Sequence, residues 1–278
     1  MEIPGVSIME PELLILDEPS SNLDVSSILE LQKILSSWKK QGKTVVISEH
    51  RLYYLRGLAD RILYMKEGRI DQDYSAEQFE QLTEKERKSK GLRSWNLESL
   101  DFIPSPEKRT GSIELLDFQF AYKKSPRILD IPDCKIPAGG IIGIIGNNGA
   151  GKSTFSRCFC GLEKCGQIFY KGKKYKPKDR LNTCYMVMQE VNHQLFTESV
   201  EEEIRISMEK EDSDIREILF MDEPTSGLDL KHMLEVSRLL KQLYAAGHTV
   251  YVITHDLELL LECCTDVIHF RNGAICEQ

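Results

Sequence analysis

The segment LLILDEPSSNLD, residues 13–24, returns later in the chain as ILFMDEPTSGLD, residues 218–229. Asp17 is answered by Asp222, Glu18 by Glu223 and Asp24 by Asp229. At the same spacing GKTVVISEH returns as GHTVYVITH, so Gly42 pairs with Gly247 and His50 with His255. With one residue of slip, LADRILYMKEGRI resembles CTDVIHFRNGAI. A repeat this long restricts the chain to architectures that can be built twice. LLILDE and ILFMDE are short continuous apolar runs, the pattern of central strands in a parallel sheet covered on both faces. After a polar turn, apolar residues recur at helical spacing: Ile28, Leu31 and Leu35 in the first copy, Met233, Val236, Leu239 and Leu240 in the second. Gly42 and Gly247 stand where a helix terminator belongs. TVVIS and TVYVIT read as β-branched strands, and YMKEGRI and HFRNGAI as small hairpins. Strand, helix, strand, helix in this order means α/β with a mostly parallel sheet, duplicated.

Charge and cysteine usage exclude several classes. The net charge is −8, without the basic footprint of a nucleic-acid binder. No apolar run approaches the roughly 18–20 residues of a membrane span, and no signal peptide opens the chain. Work at a membrane would proceed from the aqueous side, through a partner. The eight cysteines all lie between Cys134 and Cys276, at spacings unlike those of a zinc site. They read as buried or half-buried thiols of a reducing cytoplasm.

The two copies differ in extent. Residues 1–70 hold only the later part of the module, and 71–112 read as a charged helix and linker, with the run EQLTEKERKSKGLRS followed by IPSPEKRTGS. Residues 113–278 hold the fuller copy, which alone has an upstream half. There GGIIGIIGNNGAGKST sets an apolar strand directly before a GxxxxGK[ST] phosphate loop. Its glycines let successive N–H groups turn toward phosphate oxygens at the start of the next helix. The candidate nucleotide-binding residues are Asn147, Asn148, Gly149, Ala150, Gly151, Lys152, Ser153 and Thr154. Lys152 would reach the β and γ phosphates and the Ser153 hydroxyl would ligate Mg²⁺.

Asp222, the first acid of the following strand pair, is the second candidate Mg²⁺ ligand. Glu223 would orient or deprotonate an attacking water. His255 ends the next strand and recurs in the repeat, which favours a role near the γ-phosphate over simple packing. Gln189 ends the strand-like CYMVMQ and is a third candidate for Mg²⁺ and for the water. Phe118, Phe120 and Tyr122 alternate; Tyr122 would stack on adenine, while the two phenylalanines read as core.

Together these residues resemble the nucleotide-binding domain of ABC transporters, across about residues 111–278. MQEVNHQLFTESVEEEI resembles the Q-loop region of ATPases from energy-coupling-factor importers, and ISEHRLYYLRGLADRILYMKEGRI the tandem-domain members of that group. The resemblance implies a P-loop NTPase fold, ATP and Mg²⁺ as ligands, and a place on the cytoplasmic face of a membrane beside transporter subunits. It also implies a second ABC domain, from the same or a related chain, supplying a signature loop across a shared ATP. The sequence departs from the family in one respect: neither copy contains an LSGGQ-like segment. VEEEIRISMEKEDSD runs straight into IREILFMDE, leaving no room for a separate helical subdomain of about 35 residues plus turns. The first copy lacks its phosphate loop altogether, so Asp17 and Glu18 have no nucleotide partner within their own module. Two expectations follow: an ATP-hydrolysing importer subunit, or a nucleotide-binding module that is catalytically silent.

Overall fold

The computed structural model describes residues 11–96, 111–123, 125–188 and 217–276. The chain divides into two compact units, Met1–Asp101 with Gly227–Lys231, and Phe102–Ser226 with His232–Gln278.

In the first unit, β1 (Leu13–Asp17) and β2 (Thr44–Ser48) pair in parallel, from Leu13 opposite Thr44 to Asp17 opposite Ser48. Helix α1 (Val25–Lys40) crosses between them. It starts where the Asp24 carboxylate accepts the Ser27 N–H at 2.8 Å, an N-cap that satisfies one of the first-turn donors. It ends at Gly42, whose positive φ of 80° lets Lys43 N–H return to the Trp38 carbonyl. Ile28, Leu31, Leu35 and Trp38 bury one helix face against Leu14, with Leu16, Val45 and Ile47 packed around them. The strands β3 (Arg61–Lys66) and β4 (Arg69–Ser75) form an antiparallel hairpin. Glu67 and Gly68, both at positive φ, supply the tight two-residue turn that suits strand twist.

Two sequence expectations are corrected here. The strand LLILDE was read as covered on both faces; β1 pairs as expected, but Leu13 and Ile15 are exposed. The segment 71–112 was read as a linker, yet its first part folds with the unit. It completes β4 and forms two short helices, α2 (Ala76–Glu80) and α3 (Glu84–Ser89), each opened by a capping box. Phe79 and Trp95 meet edge-on at 4.8 Å beside Leu52 and bury there. These two aromatics lie far apart in a charged stretch, so no local periodicity marks them. Only α3, with no buried residue, matches the solvated helix expected.

Among the described residues, the second unit carries three sheets. The first joins β5 (Gly111–Leu116), β8 (Cys134–Ala138), β10 (Gln167–Tyr170) and β11 (Lys173–Tyr175), antiparallel throughout. A short ribbon pairs β6 (Phe118–Phe120) with β7 (Leu129–Ile131). The main sheet has the order β12-β13-β14-β9-β15-β16, with β9 at Ile141–Ile145, β12 at Cys184–Val187, β13 at Ile218–Asp222, β14 at Thr249–Ile253, β15 at Asp266–Arg271 and β16 at Ala274–Cys276. All its pairings are parallel except the terminal hairpin β15–β16. Every residue of β13 and β14 is buried, as the unbroken apolar runs predict.

Helix α4 (Lys152–Phe159) packs on one face of this sheet. Phe155 and Phe159 meet Phe220 at 6.3 and 5.0 Å, and Phe159 meets Tyr251 at 5.7 Å. The far end of α4 is held by Arg180 of α5 (Pro177–Thr183). That buried guanidinium donates to the Cys158 carbonyl at 3.1 Å and the Cys165 carbonyl at 2.9 Å. Helices α6 (Leu230–Ala245) and α7 (Leu257–Cys263) follow β13 and β14. Gly247, at φ 95°, terminates α6 as Gly42 terminates α1. None of the eight cysteines is in a disulfide, and all but Cys276 are at least half-buried, as read from the sequence. Among the described residues, no helix is long and apolar enough to cross a membrane.

Candidate nucleotide site

Because β9 lies beside β14 and β14 beside β13, the ends of three parallel strands bring their following turns together. Ligands of open parallel sheets bind at such carboxyl ends. From β9 the chain enters the glycine loop. Gly146 sits at φ 151°, and a Cβ there would overlap the Phe270 carbonyl oxygen. Gly151, at φ 99°, is the N-cap of α4, and a Cβ there would lie 2.9 Å from Leu129. Any larger residue would push the loop off the sheet, so the curl is a product of packing as well as of backbone freedom. Asn147, Asn148, Gly149 and Ser153 are exposed around it, Thr154 is half-buried, and Ala150 and Lys152 are buried beneath.

The Lys152 ammonium spans the curl, donating to the Gly146 carbonyl at 2.6 Å and the Asn147 carbonyl at 3.1 Å. The Ser153 hydroxyl stands near enough to the Asp222 carboxylate to favour its charged form. Burial pushes the Asp222 carboxyl above its ordinary range, while the Ser153 hydroxyl and the nearby Lys152 charge pull the other way. An oxygen pair of this kind, one hydroxyl and one carboxylate beside a phosphate cradle, fits a hard divalent cation that keeps most of its water and phosphate ligands. No cluster of three or more His, Cys, Asp or Glu side chains offers a metal cage among the described residues.

Glu223 follows at φ 50°, a strained left-handed conformation for a side chain of this size. Its N–H donates to the Ile253 carbonyl at 2.8 Å, and the carboxylate accepts from the Thr254 hydroxyl and the His255 N–H, both at 3.3 Å. The His255 ring lies 3.5 Å from Glu223 Oε1, 3.1 Å from Asn148 Oδ1 and 3.3 Å from Lys152 Nζ, all through Nε2. Protonated at Nε2, the ring donates to Asn148 or Glu223; in the other tautomer it accepts from Lys152. One imidazole therefore joins the phosphate loop to the carboxylate turn.

Tyr122 lies just past the end of β6, exposed, with its ring edge-on to Phe120 at 4.9 Å. Phe118 is core, as read. Gln189, expected at Mg²⁺ and the water, lies outside the described residues. Two residues, Thr225 and Asp256, and one contact, that of Asn148, escaped the sequence reading. Asn148 reaches His255 through its side chain. Behind the site, buried Thr225 donates to buried Asp256 at 2.8 Å, and the Asp256 N–H donates to the Thr254 hydroxyl at 3.0 Å. The repeat held a signal here: Ser20 and Arg51 occupy these places in the first copy, where Arg51 instead donates to the Ser20 carbonyl at 3.1 Å.

Comparison with known proteins matches residues 129–243 to the ABC transporter family. The chain carries an ABC transporter ATP-binding domain. Two Treponema denticola proteins, both assigned by name as ABC transporter ATP-binding proteins, are 36% and 30% identical over 96% and 99% of the chain. The chain spans 64% and 66% of their lengths. The first alignment runs over 315 positions, more than the 278 residues of this chain, so the relative carries residues for which the chain has no counterpart. A solved structure of RNase-L Inhibitor superposes with a TM-score of 0.62 at 20% identity, covering 94% of this chain and 59% of its own. That likeness is one of fold.

The raised Asp222 pKa gives a test of the cation site. A carboxyl whose folded pKa exceeds its unfolded value supports the fold at acid pH, and that support is lost as pH rises through the folded pKa. The ionised side chain thus costs stability at neutral pH when no cation accompanies it. Asp222→Asn should raise the thermal midpoint of the ligand-free protein by about 2–4 °C at neutral pH and abolish the part of the nucleotide-induced rise that Mg²⁺ adds. A lower midpoint with the Mg²⁺ response intact would remove Asp222 from the cation site.

Proposed function

We propose that this chain is the ATP-hydrolysing subunit of a membrane importer, with its working nucleotide face between Tyr122 and His255. The observation that carries the reading is the convergence of Lys152, the Ser153–Asp222 pair and the Glu223–His255 turn at the ends of three adjacent strands. The loop amides of Asn147 to Thr154 and the Lys152 ammonium would hold the triphosphate, and Tyr122 would stack on adenine. Ser153 and Asp222, with Gln189, would hold Mg²⁺, which when bound neutralises charge on the β and γ phosphates. Glu223 would orient the water and take its proton as oxygen attacks the γ-phosphorus and the bond to the β-phosphate breaks. His255 would hold the γ-phosphate end of the site in register with Glu223. The charge on Lys152 counters that developing on the transferred group. A second ABC domain would supply a signature loop in trans, and the assembly would sit against membrane subunits on the cytoplasmic side.

A second reading is a nucleotide-binding module that is catalytically silent. It draws on the absence of an LSGGQ-like segment and on the residues that the Treponema relative carries without counterpart here. Mg²⁺-dependent phosphate release measured alongside ATP binding separates the two. Binding with release above background supports the enzyme; binding without release supports the silent module. No binding at all defeats both.

A further inference from the structure

Both strained glutamates lead into the same kind of turn. Glu18 takes φ 42° and Glu223 takes φ 50°, and each precedes a run of the form P-[ST]-S-x-L-D. A side chain of this size stays in the left-handed region only where its surroundings hold it there. Upstream the two are held alike: the Glu18 N–H donates to the Ser48 carbonyl and the Glu223 N–H to the Ile253 carbonyl, both at 2.8 Å. Downstream the holds differ.

In the first copy the turn is closed by buried Arg51. Its Nη1 donates to the Ser20 carbonyl at 3.1 Å and reaches the Leu23 carbonyl at 3.5 Å. The repeat puts Leu228 at the place of Leu23 and Asp256 at the place of Arg51. Asp256 serves there as an acceptor: its two oxygens take the Thr225 hydroxyl at 2.8 Å and the Leu259 N–H at 3.3 Å. The guanidinium that the first copy uses thus has no counterpart at its place in the second. The donor comes instead from the stretch between the copies. Within the first unit, which includes Gly227–Lys231, the Arg93 guanidinium donates to the Leu228 carbonyl through Nε at 3.1 Å and Nη2 at 2.8 Å. Arg93 is 2% exposed. Its backbone is fixed on both sides, because Trp95 lies in the small core with Leu52 and Phe79 and Leu92 packs against that core. Burying a guanidinium is unfavourable unless its donors are used, which ties Arg93 to this carbonyl.

We infer that Arg93 is a positioning residue for Glu223, doing for the second copy what Arg51 does for the first. It pins the turn two residues before α6 begins. The Ser226 N–H donates to the Glu223 carbonyl at 3.3 Å, so a tie at Leu228 restrains the turn from its far end. Arg93 acts through the backbone of residues 223–228 and not on the reacting atoms. Its effect on turnover rests on the reading of Glu223 as the group that orients the water; the clasp itself does not.

The test compares the whole chain with Arg93→Met, which keeps a long stem without donors, and Arg93→Lys, which keeps the charge on one donor atom. Hydrogen exchange at residues 223–229 should quicken about tenfold in Arg93→Met and less in Arg93→Lys. ATP affinity should stay within about twofold while kcat falls about tenfold or more, with partial recovery in Arg93→Lys. In a Glu223→Gln background, Arg93→Met should slow release no further, because groups acting as one unit are not additive. Where Arg93→Met does not fold, Arg93→Lys carries the same measurements. Equal exchange at 223–229 in the variants and the wild type overturns the inference, whether or not the wild type releases phosphate. A loss of kcat that multiplies with that of Glu223→Gln, or a loss of ATP affinity as large as the loss of rate, overturns it too and makes Arg93 structural only. Quickened exchange in a chain that releases no phosphate upholds the clasp and defeats the enzymatic reading alone.

Discussion

Lys152→Ala should weaken ATP binding by about a hundredfold or more, measured by calorimetry or by displacement of a fluorescent nucleotide. Removing a buried, hydrogen-bonded charge from its partner costs at least about 2 kcal/mol, and commonly more. Here the ammonium is buried under the loop, bridges the Gly146 and Asn147 carbonyls and touches His255. Its loss removes a cation from the triphosphate and, separately, two ties that hold the curl. Lys152→Arg distinguishes the two effects. The larger planar head keeps the charge but cannot occupy the same buried space, so partial rescue reports charge and no rescue reports fit. An unchanged dissociation constant for Lys152→Ala would mean that nucleotide does not bind at this loop.

Glu223→Gln should reduce phosphate release by about 10²–10⁴-fold while ATP binding stays nearly unchanged. The amide keeps the volume of the side chain and one oxygen to accept from the Thr254 hydroxyl and the His255 N–H, so the strained turn can persist. What it loses is the negative charge and the ability to take a proton from water. Equal release rates for the two proteins would take Glu223 out of the chemistry. His255→Ala in the same assay separates positioning from proton transfer, because the imidazole contacts the loop, the lysine and the carboxylate at once.

Much of this site was legible because its determinants are local. The glycine loop, the two acids and the histidine each sit at the end of an unbroken apolar run, and parallel pairing of those runs brings their ends together without further instruction. The register of β1 on β2 and of β13 on β14 was likewise implicit in the repeat. What escaped were relations between distant residues of ordinary type. Asn148 reads as one more loop residue until His255 comes within 3.1 Å of it. Thr225 and Asp256 look like a turn residue and a helix cap, and Asp256 does cap α7; their mutual bond depends on two strands lying side by side. Phe79 and Trp95 were hidden in charged surroundings, so a folded subregion passed for linker. The exposure of β1 was the reverse case: apolar composition implied cover on both faces, and only one face has it.

The two anchors of α4 bear on how a guest would be received. Where the loop leading into it begins, the Gly146 backbone presses against the Phe270 carbonyl, where no side chain could fit; at its end, Arg180 pins two carbonyls from inside the core. A receptor fastened at both ends keeps its shape while empty, so a newcomer spends little on ordering it. Affinity at such a place is decided by charge and fit, and scarcely by persuasion.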